Sequence, residues 1–211
     1  MSTSVFSETD LAKVCNRLAK KDQHIKEIID QHGYPPFWSR KPSFETLVHI
    51  ILEQQVSLAS AKAALVKLKE KIGVITSRKL LLLSDEELRS CYFSRQKIVY
   101  TRCLANAIES GELSIKKLQN LPDEEVRTAL TQIKGIGNWT VDVFLMMVLH
   151  RNDLFPTGDI ALMNSVKHVK QLPAHTTKEE ILELAELWRP NRTLAAFLFW
   201  HAYIKRKNLK Y

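Results

Sequence analysis

The residues best able to do chemistry lie in two short stretches. In Thr131-Gln132-Ile133-Lys134-Gly135-Ile136-Gly137-Asn138-Trp139-Thr140, two glycines flank one isoleucine between two helical patterns. Glycine lets the backbone turn sharply, and the helix that follows directs its unpaired N–H groups outward, which makes an anion site. Lys134, Gly135, Gly137, Asn138 and Thr140 are therefore candidate contacts to a phosphate. Such contacts would hold a polyanion without reading base sequence. The plainer alternative is that Gly-Ile-Gly ends one helix and begins the next. In the second stretch, Phe155-Pro156-Thr157-Gly158-Asp159-Ile160, one carboxylate stands at the entry to another helix. On residue type alone, Asp159 is better read as a helix cap than as a catalyst.

Other positions invite chemistry less strongly. Ser94-Arg95-Gln96-Lys97 is either a capped helix start with exposed charge or a pair of phosphate contacts, Arg95 and Lys97. Asp142, in an otherwise apolar helix, reads as a satisfied buried polar group with a supporting role. Arg189 and Arg192 flank a proline and can brace the fold or touch a polyanion. Cys15, Cys91 and Cys103 are odd in number and lack zinc-ligand spacing, so all three read as reduced thiols.

These residues need helices to position them. Apolar residues recur at helical spacing with no sustained alternation, which predicts an all-α fold. Phe44, Leu47, Val48, Ile51 and Leu52 form one apolar stripe, and Ala61, Ala64, Leu65 and Leu68 another. Between them lies Glu53-Gln54-Gln55-Val56-Ser57, where Ser57 can cap the second helix. Ser84 with Glu87 and Thr177 with Glu180 have capping-box spacing. Further helices are expected over 95–108, 122–130 and from Asn191 onward, the last ending in a basic tail, Lys205-Arg206-Lys207 with Lys210, that is solvated or touches phosphate.

The composition is that of an ordinary packed soluble protein, 45% hydrophobic and 26% charged. Lys and Arg outnumber Asp and Glu by 31 to 23, a formal charge of +8. That excess suits a nucleic-acid partner or, equally on charge alone, a basic surface that serves solubility. No basic-then-apolar leader is visible, and the longest apolar run, Val143 to Leu149, is too short to cross a bilayer. No membrane association is expected.

Taken in order, these motifs resemble the helix-hairpin-helix DNA glycosylases, in particular the 3-methyladenine DNA glycosylase II branch. The resemblance runs from about Phe44 to Tyr203. It rests on Phe44-Glu45-Thr46-Leu47-Val48 through Gln54-Gln55-Val56-Ser57, on Phe93-Ser94-Arg95-Gln96-Lys97, on the hairpin, on Gly158-Asp159, and on Trp188-Arg189-Pro190 through Trp200. It implies a single domain over 1–211 with a two-lobed helical fold and a cleft active site, one lobe roughly 44–149 with the hairpin at 130–141, the other from 1–43 and 150–211. The extra N-terminal β-domain of some relatives is expected to be absent.

The resemblance makes Asp159 the counterpart of the family's essential aspartate. Its chemistry would be electrostatic, because breaking an N-glycosidic bond leaves positive charge on the sugar, which a carboxylate stabilises while it orients or deprotonates water. Gln55, with Gln54 beside it, matches the loop that fills the space of an extruded base. Trp139, Trp38 and Phe37 are candidates for a pocket whose aromatic faces would attract cationic, alkylated bases. Relatives that also cut the strand use a lysine two residues after the second hairpin glycine, where this chain has Trp139, so hydrolysis without a lyase step is expected. No cofactor is expected for catalysis, and three scattered cysteines cannot ligate the iron–sulfur cluster of other relatives. The carbonyls of Thr131, Ile133 and Ile136 match those that hold a structural Na+ or K+ in the family. The implied partner is damaged double-stranded DNA, met by a monomer in bacterial cytoplasm at the nucleoid or in a eukaryotic nucleus. A bifunctional glycosylase/lyase acting on oxidised bases and a non-catalytic DNA-binding module remain the alternatives.

Overall fold

The computed structural model describes residues 4–209, so Lys210 of the basic tail lies outside the described residues. Thirteen α-helices among these residues account for the fold, with an isolated bridge between Val5 and Arg151 in place of any sheet. In chain order they are α1 (Leu11–Lys21), α2 (Gln23–His32), α3 (Phe44–Glu53), α4 (Leu58–Ile72), α5 (Ser77–Leu81), α6 (Asp85–Ser90), α7 (Arg95–Glu109), α8 (Ile115–Leu118), α9 (Asp123–Thr131), α10 (Asn138–Met147), α11 (Ile160–Val169), α12 (Lys178–Ala185) and α13 (Arg192–Lys207). None of the described helices is long and apolar enough to cross a membrane.

Side-chain caps set many of these starts. Ser43, Ser57, Thr76, Ser84, Ser94 and Thr177 each accept a backbone N–H from the first turn of the helix that follows. Ser84 with Glu87 and Thr177 with Glu180 form complete capping boxes, so two otherwise orphaned donors are satisfied at each site. The expected helix over 95–108 extends to Glu109, and the one expected from Pro122 begins at Asp123 with Pro122 as its cap residue.

The chain divides into two compact units. One is Arg40–Phe144; the other combines residues up to Ser39 with those from Leu145 onward. The limits at 39/40 and 144/145 lie within about five residues of the approximate lobe limits given above, and the second passes through the interior of α10.

In the first unit, α3 packs on α4 and α7, and α7 on α5 and α6. Leu47, Ile50, Ile51, Leu68, Leu80, Leu88 and Leu104 are fully buried there. In the second unit, α13 is the central helix, contacting α1, α2 and α11. Its Leu194, Phe197, Leu198 and Phe199 join Ile25, Leu162, Val166 and Trp188 in one apolar core. Burying a large apolar side chain contributes roughly 1.5–3 kcal/mol, so α13 is the main organiser of that unit.

Candidate active site

In the first unit, α9 and α10 form the hairpin, with 132–137 as the turn between them. Gly135 has φ +94, a conformation that L side chains rarely adopt. A β-carbon there would stand 2.0 Å from the Tyr100 ring. The hairpin backbone at Gly135 therefore lies directly against the Tyr100 ring of α7. Gly137 differs, because a β-carbon at that position meets nothing within 4 Å. Ile136, between the two glycines, is buried.

Helix α10 opens directly after Gly137, whose carbonyl accepts the N–H of Val141. The first amides of a helix have no intrahelical acceptor, so those of Asn138, Trp139 and Thr140 make an electropositive end. Lys134 and Asn138 are exposed beside it. Arg127 of α9 links the two hairpin helices, donating to Asn138 Oδ1 at 3.1 Å and to Asp142 Oδ1 at 2.6 Å. Burial raises the Asp142 pKa above the usual carboxylate range despite this guanidinium. Asp142 is accordingly a paired, half-buried group that braces the hairpin.

Three side chains depart from the phosphate-contact and wedge roles expected of them. Thr140 is 1% exposed, and its hydroxyl accepts from Gln54 Nε2 at 2.9 Å, so only its backbone amide can serve an anion. Gln54 Nε2 also donates to the Gly135 carbonyl at 2.8 Å, which makes Gln54 a tie between the α3–α4 corner and the hairpin, not a free wedge. Lys97 is buried, and its ammonium donates to the carbonyls of Ile51 and Gln54 instead of facing solvent. Each of these partners is distant in sequence, which local spacing cannot reveal. Arg95 and Gln55, by contrast, are exposed, and Gln55 holds a left-handed φ of 59.

In the second unit, Asp159 is the N-cap of α11. Its Oδ1 accepts the Leu162 N–H at 2.7 Å and the Trp200 indole N–H at 3.1 Å. The Pro-Thr-Gly turn before it closes through the Asp159 N–H onto the Pro156 carbonyl at 3.0 Å. Turn, helix end and indole together set the half-buried carboxylate in one orientation. Asp159 is therefore the cap residue of α11, as its position at the helix entry predicts, and α13 holds its carboxylate through the Trp200 indole.

Trp200 continues into an aromatic group. Its ring lies 6.3 Å from that of Trp38, which meets Phe197 edge-on at 5.0 Å. Trp38 is therefore joined to the carboxylate through Trp200. Phe37 points elsewhere, its ring 5.9 Å from Phe6 and 5.0 Å from His150, so it serves as a packing residue. Trp139 is half-buried in the first turn of α10. Arg189 and Arg192 both pair with Asp153 and Glu186, and so brace the second unit.

Trp200, Arg127 and Tyr100 are the residues that sequence reasoning missed. Trp200 follows Phe197 by three positions, which predicts a core-facing ring but not where its N–H is aimed. No group of three or more His, Cys, Asp or Glu among the described residues is arranged to hold a metal ion.

Comparison with known proteins agrees with this geometry. A family model described as HhH-GPD superfamily base excision DNA repair protein matches residues 48–190. DNA-3-methyladenine glycosylase 1 of Schizosaccharomyces pombe is 32% identical over 199 residues, covering 91% of this chain and 87% of that protein. The structure of the Schizosaccharomyces pombe 3-methyladenine DNA glycosylase in complex with abasic DNA superposes with a TM-score of 0.82 at 31% identity, over 89% of this chain and 95% of that one. A DNA-3-methyladenine glycosidase structure from Bacillus halodurans gives 0.73 at 28% identity, over 99% and 95%. The hairpin, the capped aspartate and these likenesses lead to one conclusion, that the chain belongs to the HhH-GPD superfamily of base excision DNA repair proteins.

Proposed function

We propose that this protein is a monofunctional DNA glycosylase that extrudes a damaged base, an alkylated purine, from duplex DNA and hydrolyses its N-glycosidic bond to leave an abasic site. The observation that carries the reading is the carboxylate of Asp159, fixed by the Leu162 amide and the Trp200 indole in a chain that also bears the DNA-gripping hairpin. As the base departs, the sugar becomes an oxocarbenium-like cation, which a preorganised negative group stabilises without reorganising. The same carboxylate orients or deprotonates the attacking water. A base methylated at a ring nitrogen is cationic and leaves readily, so one carboxylate suffices without a partner acid. Trp139 occupies the position where a lyase would need an amine, which supports hydrolysis over Schiff-base chemistry.

DNA is held through phosphates at the amides of 137–140 with Lys134, and at Arg95. Gln55, exposed at the α3–α4 corner, fills the gap left by the extruded nucleotide. Trp38 and Trp139 supply aromatic faces that favour cationic bases by roughly 0.5–2 kcal/mol. The carbonyls of Thr131, Ile133 and Ile136 lie at the end of α9 and in the turn, where helix geometry leaves oxygens over, and such neutral oxygens suit Na+ or K+, which would add positive charge next to a DNA phosphate. The Ile133 carbonyl already accepts the Ile136 N–H at 3.0 Å, so its second lone pair would serve the ion. The protein acts as a monomer on chromosomal DNA, in bacterial cytoplasm or a eukaryotic nucleus.

The test is base release from duplexes with defined lesions by wild type and by Asp159→Asn. Release is expected to fall at least about a hundredfold in the variant, a loss typical of removing one preorganised electrostatic group, while DNA affinity is retained. Equal rates would remove Asp159 from the mechanism.

A further inference from the structure

Lys97 is among the few charged side chains buried in the first unit, at 8% exposure, and the reaction outlined above does not use it. Its surroundings are unusual. Helix α3 ends at Glu53, so the carbonyls of its last turn have no amide four residues on. Helices commonly resolve this with a left-handed glycine. Here Gln54 is extended (φ −61, ψ 122), and the left-handed residue is Gln55, which is not glycine. A side chain in that conformation persists only where its surroundings enforce it.

The Lys97 ammonium reaches this corner from α7 and bonds to the residues just before Gln55. Its three N–H donors meet three acceptors, the Ile51 carbonyl, the Gln54 carbonyl at 2.9 Å and Gln54 Oε1 at 3.3 Å. A cation at the C-terminal end of α3 is also favoured by the helix dipole. Burial moves the Lys97 pKa down to about 8, which leaves it predominantly protonated at neutral pH. Gln54 then passes the constraint on, since its Nε2 donates to the Gly135 carbonyl and the Thr140 hydroxyl at 2.8 and 2.9 Å. Three segments distant in sequence therefore share one network: α7, the α3–α4 corner and the hairpin.

We propose that Lys97 is a positioning residue for base extrusion: it locks the end of α3 so that Gln55 stays presented to the DNA, and through Gln54 it joins that corner to the phosphate-gripping hairpin. The proposal rests on the glycosylase reading, with Gln55 as the group that enters the base stack. Extrusion then starts from a wedge already in place, and the ordering of the loop is not left to the moment of binding. Lys97 touches neither the base nor the sugar in this role.

The experiment measures single-turnover release of 7-methylguanine from a fully paired duplex and from the same sequence with the lesion unpaired in a one-nucleotide bulge. Wild type, Lys97→Met, Gln55→Ala and the double variant are compared, with circular dichroism and thermal melting as checks of folding. Each single variant is expected to slow release from the paired duplex about tenfold more than from the bulge, which needs no wedge to break a pair. If Lys97 acts through Gln55, the double variant is no slower than the slower single one. Equal slowing of paired and bulged substrates, or effects that multiply in the double variant, would overturn the proposal and leave Lys97 a structural group. If Lys97→Met fails to fold, Lys97→Arg, which keeps the charge but not the three-pronged geometry, enters the same comparison with the same criteria. Wild type that releases nothing from either substrate would defeat the glycosylase reading itself and this proposal with it, a result distinct from the failure of Lys97 alone.

Discussion

The two hairpin glycines look equivalent in the sequence and differ in what they do. Gly135 combines a positive φ with a backbone lying against the Tyr100 ring, so any side chain is strained and collides. Gly135→Ala is expected to cost about 1–3 kcal/mol of stability and to weaken duplex binding as well, because the amides of α10 shift with the turn. Gly137 has open space where its β-carbon would be. Gly137→Ala should therefore leave the melting temperature within about 2 °C of wild type while still lowering DNA affinity, since the added methyl would stand at the proposed phosphate contact. Thermal melts and duplex titrations of both variants check this. A Gly137→Ala protein that binds as wild type would show that the phosphate does not come close to that residue.

At the scale of elements, one buried carboxylate organises the start of α2. Asp22 caps the helix through the His24 amide at 3.0 Å and accepts from the Trp188 indole at 2.8 Å and from Lys170 at 2.6 Å. It thereby connects α2 to the end of α11 and to the turn before α13. Burial works to raise its pKa, but the hydrogen bonds from Lys170 and Trp188 outweigh burial and hold it below the ordinary range. A carboxyl whose folded pKa is depressed stabilises the fold fully above its unfolded value, near pH 4, and the contribution fades as pH falls through the folded value. Asp22→Asn is expected to cost roughly 1–3 kcal/mol at neutral pH, with the gap to wild type closing below about pH 4. Denaturant melts across that range provide the check, and a gap independent of pH would mean that the carboxylate's charge contributes nothing.

For the whole molecule, the formal charge of +8 becomes informative only with the hairpin. Phosphate contacts release counterions, so duplex affinity should fall linearly in log–log terms with salt, by about 0.9 for each phosphate neutralised. Lys134 is exposed beside the α10 amides, and Lys134→Ala is expected to reduce that slope by about 1 while weakening all duplexes alike. Titrations at several salt concentrations test it, and an unchanged slope would exclude Lys134 from phosphate contact. Charge alone left a solubility role equally open; the exposed Lys134 at an amide-rich helix end favours the polyanion.

What was legible in advance depended on locality. Helical periodicity, capping boxes at Ser84 and Thr177, the sharp turn at Gly135 and the cap position of Asp159 all arise from interactions within a few residues, and these could be read from the order of amino acids. The match of several ordered motifs to a known family was legible for the same reason. Only the tertiary structure decided that Lys97 turns inward to carbonyls 43 and 46 residues away, that Gln54 ties to a hairpin 81 residues on, and that Trp200 donates to Asp159 across 41 residues. A lysine, a glutamine and a tryptophan each have both an exposed and a buried way to satisfy their polar atoms. The choice between them depends on which distant acceptors the packed helices bring within reach, a quantity that spacing along the chain does not contain.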